Sequence, residues 1–244
     1  MPVNQYIDHD GINIAAGRAI RHSHIHKFGA VPSLSINTTG SIWDISDTLY
    51  PWSALDTPAV VNIERNDVAD EGHVITVQGL DENYNFQEEE ITISGTDTLG
   101  TKTFRRVNRA FCTDTISGST NTGNIDIEAG AAGGTTVARI TAGKGQTLMS
   151  VYTIPKNKTG YLMKGTMTCQ ASADASGNMF VRYAGQDTFR IGHSFEVSGS
   201  GGQYMYEFAI PIQIPSMSDI DVRASVRSNN ARVTAAFDLI LVDK

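Results

Sequence analysis

Apolar and polar residues alternate with a period of two along most of the chain from residue 33 onward. In the first half, this alternation covers residues 59–66, 73–80, 88–94, 102–113 and 124–129. Such a pattern is typical of β-strands that bury one face. The intervening stretches, such as DVADEG and SGSTNTG, are rich in turn-forming residues. The pattern therefore predicts an all-β protein without long helices.

The alternation stops at the glycine-rich segment GAAGG, residues 130–134, and then resumes to the C-terminus. Eight further strands in about 110 residues fit a two-sheet β-sandwich, most simply a jelly roll. The five or six strands of the first half are enough for a smaller sandwich. We therefore predict two β-sandwich domains, at residues 33–130 and 135–244, with the glycine-rich segment between them.

The first 32 residues show no sustained period. We predict that residues 1–32 form an extended N-terminal arm, which lies either on the protein's own second domain or on a neighbouring subunit. An arm that buries little surface by itself becomes ordered only when a partner covers it. Its candidate partner-binding residues are Arg18, Arg21, Lys27 and Phe28.

Composition and charge narrow the class of partner. Of the 244 residues, 40% are hydrophobic and 18% are charged, and the formal net charge is −7. Binding to nucleic acid or to an anionic membrane requires clustered Lys and Arg, so neither is expected as a partner. The N-terminal sequence does not resemble a signal peptide, and no run of about 18 apolar residues could span a membrane. We therefore expect synthesis in a cytoplasm.

The two cysteines, Cys112 and Cys169, both fall in predicted strands. They could form one disulfide or remain as two free thiols, and the second alternative is favoured. Neither cysteine has the near neighbour that a zinc or redox motif requires.

The stretch GLDENYNFQEEEITI, residues 79–93, resembles part of a calcium-binding loop. Asp81, Asn83 and Asn85 match the start of an EF-hand loop, but Phe86 and Thr92 occupy the positions that require glycine and glutamate. Asp and Asn also favour tight turns. We therefore predict a hairpin turn at residues 81–85, with a weak ion site as the alternative.

The sequence RHSHIH contains the strongest metal-binding pattern in the chain. In an extended segment, His22, His24 and His26 project from the same side about 7 Å apart, a spacing that can chelate zinc or nickel. The alternatives are ordinary polar contacts or a pH-sensitive contact, because imidazole titrates near neutrality. No other cofactor is predicted.

No catalytic constellation is evident. His73 and His193 could each pair with several Ser and Asp residues, but no local motif supports any combination. Trp43, Tyr50 and Trp52 could form a platform for sugar binding, although the apolar residues around them favour a place in the core of the first domain. We therefore predict that the protein is not an enzyme.

Five segments that occur in one order resemble virion structural proteins of tailed phages, a family common among marine and cyanobacterial viruses. They are SIWDISDTLYPW, HVITVQGLDENYNFQEEEITISGT, FRRVNRAF, GKGQTLMSVYTIPKNKTGYL and AAFDLILVD. The resemblance covers about residues 41 to 244, although family members have fewer acidic residues after the GLDENYN turn. It implies a non-enzymatic building block of the phage particle.

These observations lead to the expectation of a capsid decoration or cement subunit located in the virion. Its expected partners are the major capsid protein or other virion proteins, together with further copies of itself, for which we expect a homo-oligomer and favour a trimer. The alternative is a neck, tail or fibre component that contacts host-surface glycans. That function needs an exposed aromatic residue, and the candidates are Trp43, Trp52, Tyr204 and Tyr206.

Overall fold

A computed structural model describes residues 10–113, 120–170, 173–198 and 202–244. It is all-β, with 56% strand and 5% helix. Within those ranges the helical elements are short: α1 (Asp10–Ala15) and two 3-10 turns, Trp52–Leu55 and Val68–Asp70. The strands are β1 (His22–Leu34), β2 (Thr39–Ser41), β3 (Val61–Arg65), β4 (Val74–Leu80), β5 (Phe86–Thr92), β6 (Asp97–Leu99), β7 (Arg106–Cys112), β8 (Ile125–Ala129), β9 (Thr135–Ile140), β10 (Val151–Thr153), β11 (Lys158–Cys169), β12 (Ala175–Arg182), β13 (Arg190–Val197), β14 (Gln203–Ile214), β15 (Asp219–Val226) and β16 (Ala231–Asp243).

These strands form four antiparallel sheets. Two of the sheets have the orders β1-β16-β11-β14 and β10-β15-β12-β13, with β2 paired to β15 in the second of them. The other two have the orders β6-β3-β8-β9 and β5-β4-β7. The expectation of an all-β protein is therefore confirmed.

The sheets share two hydrophobic cores. The first two sheets surround one core, and because it is built from both ends of the chain we call this half of the molecule the terminal unit. The other two sheets surround the second core, whose buried residues lie between Trp43 and Val151, and we call this half the central unit. The central unit is therefore inserted into the terminal unit between β2 and β10.

Strand β16 shows how the alternation in the sequence produces the core of the terminal unit. Val233, Ala235, Phe237, Leu239 and Leu241 are all buried, whereas the intervening positions are mostly less buried. Because successive strand residues point to opposite faces, every second side chain enters the core. Complete burial of a large apolar side chain contributes about 1.5–3 kcal/mol.

Residues 22–34 differ from the predicted arm because they form an integral strand. Strand β1 pairs with β16 from His22 opposite Val242 to Leu34 opposite Ala231, and it places Val31 and Leu34 in the core. The arm was expected to lie either on the protein's own second domain or on a neighbouring subunit. Residues 22–34 lie on the protein's own terminal unit. Gly29 is required there, since an added Cβ would lie 2.5 Å from backbone atoms of Ile42 and Ser150.

The predicted domain boundary at residues 130–134 is a hairpin turn in the structure. Strands β8 and β9 pair across it, so β9 belongs to the central unit rather than beginning the next domain. Gly130 and Gly133 have φ values of +86° and +77°, a left-handed conformation that glycine adopts without strain. The change from one core to the other occurs instead at β10, between Val151 and Tyr152.

The acidic stretch after β4 is the predicted hairpin. Strands β4 and β5 pair from Leu80 opposite Phe86, and the Asp81 carboxylate accepts hydrogen bonds from the backbone N–H groups of Asn83 and Asn85 at 2.8 Å. Burial would raise the pKa of Asp81, but these hydrogen bonds lower it below its usual value. The carboxylate therefore stabilises the turn itself.

Cys112 and Cys169 are two thiols rather than one disulfide, as favoured from the sequence. No helix in the described ranges is long and apolar enough to cross a membrane.

Candidate functional site

A buried ion network joins the two units. Asp219 of β15 accepts hydrogen bonds from Arg106 Nε of β7 at 3.0 Å and from Arg182 Nη2 of β12 at 2.6 Å. The Thr153 hydroxyl donates to the same carboxylate at 2.6 Å. Burial would lower the pKa of Arg106, but the charge and hydrogen bond of Asp219 raise it above its usual value. Arg106 is therefore positively charged throughout the physiological pH range.

Aromatic side chains cover this ion network. Trp52 Nε1 donates to Asp221 at 3.0 Å, and the guanidinium groups of Arg106 and Arg182 lie 5.6 and 5.7 Å from the Trp52 ring. Trp43 and Trp52 are only 2% and 8% exposed. The prediction that these tryptophans belong to the core is confirmed, and neither forms a surface platform for sugars.

The three histidines of β1 lie on one exposed side of the strand, as predicted, but they do not converge on one point. His24 Nε2 and His26 Nδ1 lie 2.9 and 2.6 Å from the same oxygen of Asp238, whereas His22 Nδ1 lies 2.8 Å from the Ile20 carbonyl. Throughout the described part of the chain, no group of three or more His, Cys, Asp or Glu side chains is arranged to hold a metal ion. The structure therefore gives these histidines polar contacts with their own sheet.

The residues predicted for partner binding by the arm have different environments. Arg18 is exposed, and Arg21 Nη2 donates to the Asp243 carbonyl at 2.9 Å. Lys27 is buried, and Phe28 is half-buried with its ring 5.5 Å from that of His26. Lys27 and Phe28 are therefore built into the sheet rather than presented to a partner on an arm, because β1 pairs along its whole length with β16.

Four of the large exposed apolar side chains of the terminal unit lie on β13 and β14. Ile191 is 59% exposed, Met205 70%, Tyr206 45% and Ile210 85%. We call these four residues the edge surface, because β13 and β14 are the last strands of their respective sheets. Exposed apolar groups at sheet edges are typical of interaction sites.

A bulge shapes the edge surface. The β11–β14 register moves from Leu162 opposite Ile212 to Lys164 opposite Glu207, so residues 208–211 leave the regular ladder. Within this segment, Pro211 has no N–H with which to continue strand pairing. A bulge and a proline of this kind hinder the addition of another strand at a sheet edge.

The aromatic rings of β13 and β14 pack against one another next to the edge surface. The His193 ring lies 5.2 Å from Tyr206 and 5.0 Å from Phe208, and its Nε2 is 3.2 Å from the Tyr204 hydroxyl. Burial lowers the pKa of His193, which favours the neutral ring. His73 lies buried in the central unit, so the two histidines considered for hydrolysis are not brought together.

Of the four residues in the edge surface, the sequence analysis singled out only Tyr206, as a candidate for glycan contact. The signal was present in QYMYEFAIPIQI, residues 203–214, where apolar residues occupy both faces of the strand. In an antiparallel sheet with one solvated face, such a strand leaves apolar side chains uncovered unless something else packs on them. Which face is uncovered depends on the strand order, which local patterns do not reveal.

The chain is thus an all-β protein of several antiparallel sheets. No protein-family model matches it, and no curated protein matches it. One similar solved chain comes from a structure described as "Structure of infectious bursal disease virus Gx strain". It is 8% identical, the match covers 91% of this chain and 76% of that one, and the TM-score is 0.21. A TM-score of this size carries no argument about fold or function.

Proposed function

We propose that this protein is a non-enzymatic structural component of a virus particle, most specifically a capsid decoration or cement subunit. The observation that carries the proposal is the edge surface, a set of exposed apolar side chains on a body whose two units are joined by the buried Arg106–Asp219 ion pair. Exposed apolar side chains at a sheet edge are suited to being covered by neighbouring subunits. The resemblance of its segments to virion structural proteins of tailed phages supports the same function.

For the fold, we propose two β-sandwiches, with a jelly roll as the terminal unit. In a jelly roll, eight strands numbered along the chain form sheets of order 1-8-3-6 and 2-7-4-5. Omitting β2 and the inserted central unit, the sheets β1-β16-β11-β14 and β10-β15-β12-β13 follow this order. Their side chains meet in a common core, which supports face-to-face packing. Because jelly rolls occur in lectins as well as capsids, the fold alone does not fix the function.

The proposed partners are the major capsid protein or other virion proteins, together with further copies of this chain. A homo-oligomer, with a trimer favoured, would bury the edge surface between copies, and attachment to the capsid would bury it against the shell. In either case the protein would be located in the virion.

Electron microscopy of the intact particle tests this function directly. A decoration subunit is expected in hundreds of copies on the outer shell. A count of about six or about twelve copies at a single vertex would contradict decoration and place the protein in the neck or tail.

Substitution within the edge surface tests the observation on which the proposal depends. Ile210→Asp is expected to abolish binding to the particle or self-association, because a buried unpaired carboxylate is strongly unfavourable at an interface. Leu99→Asp is the matched control, since Leu99 is 55% exposed but lies in the central unit. Light scattering and co-sedimentation with particles lacking the protein measure the two kinds of association. Equal behaviour of the two variants would argue against the edge surface as the interface.

A second candidate function is a neck, tail or fibre component that contacts host-surface glycans. It is supported by the partly exposed Tyr206, whose ring lies 4.8 Å from that of Phe208 and beside His193. Aromatic faces flanked by polar groups are suited to packing against sugars. Binding to host envelope glycans that is lost in Tyr206→Ala and retained in Leu99→Ala would favour this function, and no binding by the wild-type protein would exclude it.

A further inference from the structure

A cleft of about 530 Å³ lies between the two units, along the free edge of β1. One wall is formed by residues 23–27 of β1, and the opposite wall includes Gln78 of β4 and Asn108 of β7. Clefts between structural units are common sites of ligand binding. Away from the cleft, the Arg106–Asp219 ion pair also joins the two units.

The cleft is basic although the chain as a whole is acidic. The side chains in its lining that carry, or can acquire, a positive charge are His24, His26, Lys27, Arg109 and Lys158. Among the described residues of that lining there is no Asp or Glu, whereas the net charge of the chain is −7. His24 and His26 hydrogen-bond to Asp238, and Lys158 pairs with Asp243, so the positive charge that attracts an anion comes from Lys27 and Arg109.

Lys27 is the most unusual group in the lining. It is 7% exposed, and its Nζ donates a hydrogen bond to the Asn108 carbonyl at 2.5 Å. Within the described ranges, no carboxylate forms an ion pair with Lys27. An ammonium group has three donors, and a buried cation without a counter-ion is unfavourable.

Part of the remaining lining is apolar. Phe86, Tyr152 and Pro155 border the same cleft as Lys27 and Arg109. The side chains therefore present positive charge beside an apolar wall, which suits a ligand with both an anionic end and an apolar body.

We propose that this cleft binds a carboxylate attached to an apolar body, with the carboxylate on Lys27 Nζ and Arg109 and the apolar body against Phe86, Tyr152 and Pro155. The carboxylate could belong to a small organic acid or to an acidic segment of a partner protein. This proposal does not depend on the function proposed above.

The free edge of β1 could pair with an extended, acidic segment of a partner protein. The Ala30 N–H donates to the Leu148 carbonyl on the side of β1 that faces away from β16. Because backbone groups alternate along a strand, the N–H groups of His24 and His26 point to the same side. An extended peptide would therefore meet free hydrogen-bonding groups next to Lys27.

Calorimetric titration with matched small molecules tests the proposal. Hexanoate is expected to bind more tightly than acetate, which lacks the apolar body, whereas the neutral hexanamide is expected not to bind. Lys27→Met is expected to weaken hexanoate binding by about tenfold or more, since it removes a charge-assisted hydrogen bond. Lys144→Met, at an exposed position outside the cleft, serves as the matched control and is expected to bind like the wild type.

The pH dependence gives a readout that a purely structural lysine would not produce. Burial, with a smaller effect from the charge of Arg109, lowers the pKa of Lys27 to about 7. Hexanoate affinity is therefore expected to fall as the pH rises above about 7, as Lys27 loses its proton. Other titratable side chains also line the cleft, namely His24, His26, Arg109, Lys158 and Tyr152. The part of the pH dependence that disappears in Lys27→Met is therefore the part due to Lys27.

The peptide source is tested by a short extended peptide with one glutamate among apolar residues, compared with its glutamine counterpart. Binding of the glutamate peptide alone supports a partner-protein segment, and binding of hexanoate alone supports a small acid. Binding of neither ligand, or tighter binding of inorganic phosphate than of hexanoate, would overturn the proposal. Arg109→Gln is a second variant in case Lys27→Met does not fold, and wild-type affinity in all folded variants would also overturn it.

Discussion

At the residue scale, Asp238 illustrates how one carboxylate organises an exposed sheet face. It lies on β16 and binds His24 and His26 of β1 on one side and Lys164 of β11 on the other, with Lys164 Nζ at 3.1 Å. Burial would raise its pKa, but the hydrogen bonds from His26, Lys164 and His24 together lower it. Three strands are thereby connected through one side chain.

Asp238→Asn is expected to destabilise the protein by about 1–3 kcal/mol at pH 7, because it removes the charge that these hydrogen bonds stabilise. The folded-state pKa of Asp238 is lowered, so its stabilising contribution is present above the unfolded pKa of about 3.9 and is lost as the pH falls through the folded value. Urea unfolding at pH 7 and pH 2.5 measures the difference, which should be much smaller at the lower pH. Asp187→Asn, at an exposed site, should change stability by less than about 0.5 kcal/mol.

Lys27 destabilises the folded protein when it is charged, whereas the charged Asp238 stabilises it. Its pKa is lowered to about 7 in the folded protein, below the value of about 10.4 expected in the unfolded chain. Between these values the unfolded state binds more protons, so folding stability rises with pH across this window. Below about pH 7 the folded protein carries the full unfavourable effect of a buried charge.

Lys27→Met is therefore expected to stabilise the protein by about 1–4 kcal/mol at pH 6, with the gain shrinking toward pH 10. Guanidinium unfolding at both pH values gives the comparison, with Lys144→Met as the exposed control. If Lys27→Met were destabilised equally at pH 6 and pH 10, the charge on Lys27 would not destabilise the folded protein.

At the element scale, the sequence predicted the positions of the strands better than it predicted which strands pair with each other. Strands β4, β5 and β16 were evident because burial of one face is encoded locally, in every second residue. Strand β1 was interpreted as an arm because its buried Lys27 and Gly29 interrupt the apolar pattern. Strand β9 was assigned to the following domain because pairing with β8 depends on the tertiary fold. Likewise, the edge surface and the cleft depend on strand order, which periodicity does not encode.

Deletions that end on either side of β1 test its role as a strand. Removing residues 1–18 leaves β1 intact and is expected to preserve both cores. Removing residues 1–34 deletes the completely buried Val31 and Leu34 and leaves one edge of β16 unpaired, which should cost about 5 kcal/mol or more. Circular dichroism and limited proteolysis measure both outcomes. A folded terminal unit after the longer deletion would show that β1 is dispensable, as an arm would be.

At the scale of the whole molecule, the insertion of one unit into the other makes their stabilities interdependent. The chain passes from the terminal to the central unit after β2 and returns at β10, so both ends of the central unit are fixed. Asp219 then joins the units through Arg106, whose side chain lies on the central unit. We therefore expect wild-type protein to unfold in one cooperative transition.

Asp219→Asn is expected to lower the stability by about 3 kcal/mol and to separate this transition into two, because it leaves the buried Arg106 with only the exposed Asp56 as counter-ion. Scanning calorimetry resolves the transitions. Glu71→Gln is the control, since its partner Arg65 forms a salt bridge with a half-exposed carboxylate that contributes at most about 1 kcal/mol. A single unshifted transition in Asp219→Asn would show that the network does not couple the units.

The glycine-rich turn between β8 and β9 has a practical consequence. Ala131 and Ala132 are exposed at its tip, and the space around Gly130 and Gly133 is open. Lengthening such a turn adds little closure entropy and disturbs neither core. If the protein coats a capsid, a foreign epitope grafted between the two alanines would be carried in many regularly spaced copies, which is the arrangement wanted in a vaccine carrier.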